Sequence, residues 1–144
     1  MDLAKTHWRD QYKFLEYQSK FHERIRQLFI TSLPFKNFRC YQELQLKDLV
    51  PDCNRNYEID WYIQELNTIL ELHGKQHYEA TNFGNIDYHT NERNFYRSRE
   101  RDNDKMNIAL DAGFFYAILP YNLEKNITAA SLMKLIEDQI NGRE

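Results

Sequence analysis

The sequence predicts a single α/β domain, and three features carry that reading. Helical periodicity marks both ends of the chain, apolar runs of strand length lie between them, and turn-forming residues separate the runs. A length of 144 residues with 42% hydrophobic content suits one domain with its own core, and no second domain is needed. An aromatic share of 15%, from ten Tyr, nine Phe and two Trp, argues against disorder, because these side chains bury large areas.

From about Leu3 to Ile30 there is neither Pro nor Gly, and Phe14, Tyr17, Phe21, Ile25 and Leu28 recur at steps of three and four, the stripe of a helix. Pro34 lies just past its end. Residues 37–46 alternate as a strand does, and a polar loop centred on Pro51 to Asn56 follows. Two further strands are predicted over Ile59 to Ile63 and Ile69 to His77. Between them Gln64 to Thr68 make the turn, with Asn67 the best turn former. Residues 80–92 are polar without a clear period and read as an exposed loop, after which a second helix starts near Thr90 or Asn91. Gly113 suits the left-handed position after that helix. Phe114 to Leu119 is then a buried strand stopped by Pro120, and Thr128 caps a last helix with the face Leu132, Leu135, Ile136 and Ile140. The predicted order is helix, three strands, helix, strand, helix.

No apolar run is long enough to span a bilayer, and Met1 to Lys5 lacks the layout of a secretory signal, so the chain reads as soluble, intracellular and cytoplasmic. Cys40 and Cys53 have neither the number nor the spacing of a zinc site or a disulfide framework. A net charge of −3 provides no global basic field for tight non-specific DNA binding, yet acidic site residues themselves lower that total.

The chemistry-bearing residues cluster around the predicted hairpin. Alternation puts Glu71, His73 and Lys75 on one face of their strand, and pairing across the turn brings Asp60 close to Glu71. Two carboxylates are hard ligands suited to Mg2+ or Mn2+, which keep several waters and need few protein oxygens. A metal so held polarises a phosphate oxygen and acidifies water. His77 has the pKa range of a general base, worth roughly 100- to 10,000-fold when well placed. Lys75 would hold a phosphate or developing negative charge, and His73 would serve as a third ligand or phosphate donor.

Three blocks of this chain resemble the restriction-endonuclease-like superfamily, and more narrowly its very short patch mismatch-repair and homing endonuclease branch. They are Ile59-Asp60; Glu71-Leu72-His73-Gly74 with His77 after it; and Glu100-Arg101-Asp102 followed by Leu110 and Gly113-Phe114. The resemblance covers about residues 20–120. It implies a mixed central sheet with a helix on each side, a Mg2+-dependent endonuclease, and DNA as partner. Carried over by position, it makes Asp60 a metal ligand and His77 the base. Asp102 stands near His77 or behind it, and Glu23 is an acid on the first helix, where a one-residue shift would substitute His22. The superfamily's usual Lys two residues after the acid is here His73. No Pro-led motif precedes Asp60, and the mismatch-repair enzymes' zinc-binding cysteines are missing, so mismatch specificity is not implied. Nicking or double-strand cutting depends on whether the chain acts alone or as a homodimer.

Arg93, Arg97, Arg99, Arg101 and Lys105 on or beside the second helix, with Lys20, Arg24 and Arg26 on the first, are candidate phosphate contacts, although Glu92, Glu100, Asp102 and Asp104 nearly cancel the former set. Tyr88, Phe95 and Tyr96 either stack on bases or fill the core, with core the better assignment for Phe95. Each reading has a plainer alternative. Asp60 and Glu71 would also suit an open, solvated sheet face, and Asp102 lies in a run of alternating charges typical of a solvated helix. The rival function is a nuclease-fold protein that only binds DNA or protein, and a third reading exchanges DNA for RNA.

Overall fold

The computed structural model describes residues 19–75 and 88–142. Helix α1 spans Lys20–Thr31 and begins where the Ser19 hydroxyl accepts the His22 amide at 3.2 Å. Phe21, Ile25 and Phe29 form its buried face, while Phe14 and Tyr17 lie outside the described residues. A 3-10 turn, Phe35–Asn37, follows Pro34 and leads into strand β1, Cys40–Gln45. This strand is shorter than the alternating run at both ends. Residues 35–37 wind into the turn, and Leu46–Leu49 form a short helix α2, whose Asp48 carboxylate accepts the Gln45 amide at 3.1 Å.

Strands β2 (Glu58–Ile63) and β3 (Thr68–His73) are joined by the 3-10 turn Gln64–Leu66 and by Asn67 at φ 48°, the left-handed conformation that Asn tolerates. Helix α3, Tyr88–Asp111, starts before the expected Thr90, so the last residues of the predicted loop are helical. Gly113 follows it at φ 94°, as its position after a helix requires. Strand β4 (Phe115–Pro120), a 3-10 segment Tyr121–Asn126 and helix α4 (Ala129–Asn141) complete the chain. The Thr128 hydroxyl caps α4 by accepting the Ser131 amide at 3.1 Å.

The sheet order is β1-β2-β3-β4, antiparallel across the first three strands and parallel between β3 and β4, whose connection includes α3. Alternation along the strands builds two cores. Trp61, Ile63, Leu70, Leu72, Ala117 and Leu119 pack with α1 and α4, whereas Tyr62, Ile69 and Tyr116 pack with Ala109 and Met106 of α3. The result is a four-stranded mixed sheet with helices on both faces. Among the described residues no helix is long and apolar enough to cross a membrane.

Candidate active site

The β2–β3 ladder is paired from Ile63 and Thr68 as far as Trp61 and Leu70. One step further come Asp60 and Glu71. There Asp60 Oδ2 accepts the amide of Leu72 at 2.7 Å, so a carboxylate takes a donor at the point where the strands part. Asp60 is half-buried and Glu71 is 4% exposed, and the two carboxyls are close enough to hydrogen-bond each other. This juxtaposition is the one expected from the hairpin.

Glu71 shares the period-2 position of Ile69 and so belongs to the α3 side of the sheet. Its Oε1 accepts the Tyr116 hydroxyl and the Lys105 ammonium, each at 3.2 Å. Burial, followed by the like charge of Asp60, pushes the Glu71 carboxyl well above the ordinary carboxylate range, against the lowering effect of Lys105. Burial, followed by the Glu71 charge, raises Tyr116, whose phenol therefore keeps its proton and donates a hydrogen bond throughout the physiological range. Asp102 is half-buried one helical turn before Lys105, and its charge is felt at Tyr116. Its α3 neighbour Asp104 accepts the Tyr57 hydroxyl at 2.7 Å.

The other expected residues divide. His73 ends β3, is 7% exposed and lies opposite Pro120. Lys75 stands beyond the strand end and is exposed, so the alternation that placed it beside Glu71 and His73 does not reach it. His77 lies outside the described residues. Glu23 is engaged elsewhere: its carboxylate accepts Arg26 at 3.0 Å and Gln27 at 3.0 Å, and Arg26, 2% exposed, also donates to Gln42. Arg26 is thus a buried structural cation and not a surface phosphate contact. Arg24 likewise donates to the carbonyls of Glu124 and Lys125.

On α3, Arg93, Arg97, Arg99 and Arg101 are all exposed, and so is Glu100. Arg93, Arg97 and Arg101 follow one another at steps of four, about 6 Å of rise each. Arg99 lies over the half-buried Phe95 ring at 5.7 Å, and Tyr96 is 54% exposed.

Two residues of this cluster escaped the sequence reading in the roles they hold. Lys105 stood only among the candidate phosphate contacts, although its helical spacing from Asp102 and from the buried Ala109 places it on the sheet-facing side. Tyr116 is the only polar side chain between Phe114 and Leu119, a signal that a hydroxyl there has a partner. Which partner depends on the β3–β4 register.

Among the described residues, no group of three or more His, Cys, Asp or Glu side chains is arranged to hold a metal, so Asp60 and Glu71 are a two-acid set. Comparison with protein-family models, curated proteins and solved structures finds no match to this chain.

Proposed function

We propose that the chain is a metal-dependent DNA endonuclease of restriction-endonuclease-like fold, hydrolysing phosphodiester bonds at the Asp60–Glu71 pair. One observation carries this reading: two acids from neighbouring strands meet where the ladder opens, closely enough that the Asp60 charge disfavours that of Glu71. A divalent cation relieves that repulsion. Two hard carboxylates suit Mg2+ or Mn2+, ions that keep several waters and take few protein ligands. Asp60 and Glu71 would hold it, and it would supply charge stabilisation and an acidified water.

The protein's own groups then have separate tasks. Leu72 N–H orients Asp60, and Tyr116 O–H orients Glu71. Lys105 balances the buried carboxylate and provides the ammonium, expected from Lys75, that faces negative charge on a phosphoryl group. His77, by the family resemblance, accepts a proton from the attacking water. Arg93, Arg97 and Arg101 form a cationic ridge for the nucleic-acid backbone on the helix that carries Lys105. Incubating the protein with duplex DNA and with RNA of matching sequence, with and without Mg2+, tests the proposal. Cleavage confined to DNA and to Mg2+ supports it, and RNA cleavage alone replaces the substrate.

One observation favours the rival binding module. A 4%-exposed Glu71 paired with Lys105 also suits a structural ion pair inside a scaffold that binds nucleic acid without cutting it.

A further inference from the structure

Among the described residues, strand β4 forms one edge of the sheet. The Phe115 amide bonds inward to the Asn67 carbonyl at 3.0 Å, and alternation therefore turns the peptide groups of Tyr116, Ile118 and Pro120 outward. At the centre of this edge sits a side chain in place of a strand. Gln139 of α4 accepts the Ile118 amide on Oε1 at 2.8 Å and donates its Nε2 to the Ile118 carbonyl at 2.7 Å. A carboxamide has the donor and acceptor of a peptide group, and here it occupies both positions that a fifth strand would use. Pro120 has no N–H to offer at one end.

We propose that Gln139 plugs the β4 edge and prevents β4 from pairing with β4 of a second copy of this chain. Exposed edges recruit further strands, and proteins close them with covering groups and Pro. The second copy is the fitting occupant because the edge is self-complementary. An antiparallel arrangement about a two-fold axis at Ile118 would exchange both Ile118 hydrogen bonds between the two copies.

The test replaces Gln139 with Met, which keeps length but loses the amide, and with Ala. Molar mass by light scattering is followed over a concentration series, with the Ile118 amide monitored by hydrogen exchange. We expect both variants to shift towards twice the wild-type mass as concentration rises, with Ile118 becoming protected in parallel. Folded variants that keep the wild-type mass at every concentration overturn the proposal. Should both variants fail to fold, wild-type exchange decides: Ile118 protected like its inward neighbours Ala117 and Leu119 supports the plug, and exchange as fast as in an unstructured peptide overturns it.

Discussion

Asp60 and Glu71 face each other one residue beyond the last paired step of the β2–β3 hairpin, with carboxyls in hydrogen-bonding contact. The contact has a cost in the folded state, because Glu71 is almost fully enclosed and cannot share its charge with water. The same contact makes the pair receptive to a divalent cation.

The contribution of Glu71 to stability in the presence of a chelator should therefore fall with rising pH. The folded protein keeps the Glu71 proton at pH values where the unfolded chain has released it, so this contribution is full below the ordinary carboxylate range. It is lost as pH climbs through the raised folded pKa. Glu71→Gln lacks that loss. Thermal melts from acid to neutral pH should show the wild-type Tm falling relative to that of the variant as pH rises. Parallel curves for the two proteins would mean that Glu71 is an ordinary carboxylate.

Lys105 is the ammonium that meets Glu71, and Lys75 stands exposed beyond the strand. Lys105→Met should lower DNA cleavage roughly 100-fold or more, in line with the removal of a placed charge donor. Lys75→Ala should remain near wild type. The fold should lose less than the roughly 3–5 kcal/mol of a stranded buried ion, because Glu71 can take up a proton instead. Rates for both variants, with denaturation curves alongside, decide the assignment, and the reverse ranking would return the role to Lys75.

Asn67 ties the hairpin turn to the start of β4. Its side chain accepts the Tyr62 hydroxyl at 2.9 Å and donates to the Gly113 carbonyl at 3.0 Å, and its backbone is left-handed at φ 48°. Asn67→Ala loses both bonds and strains the backbone, at about 2–4 kcal/mol. Asn67→Gly loses only the bonds. Urea denaturation of the two should differ by about 1 kcal/mol, with Gly the more stable; equal values would show that backbone strain contributes nothing.

The parts of the fold legible in the sequence are those set by short-range chemistry. The helix–strand order, the Asn67 turn, the Gly113 helix end and the Thr128 cap each depend on neighbours within a few residues. The approach of Asp60 to Glu71 was legible for the same reason, since a short turn and a period of two determine it. Strand ends were not: β1 is cut short by local winding on both sides, and β3 ends at His73, which leaves Lys75 off the strand that alternation predicted for it. The partnership of Glu71 with Lys105 and Tyr116 depends on how α3 and β4 register against β3, which no local pattern encodes.

The most direct measurement is conversion of supercoiled plasmid in Mg2+ by wild type and by Asp60→Asn, each repeated with a chelator. Asn keeps an oxygen for the Leu72 amide, so the variant preserves the local hydrogen bond while removing the charge. Nicked or linear product from wild type, absent with the chelator and reduced roughly 100-fold or more in the variant, is the expected result. Intact plasmid with wild type, or cleavage that Asp60→Asn leaves undiminished, would contradict a metal nuclease centred on this acid pair.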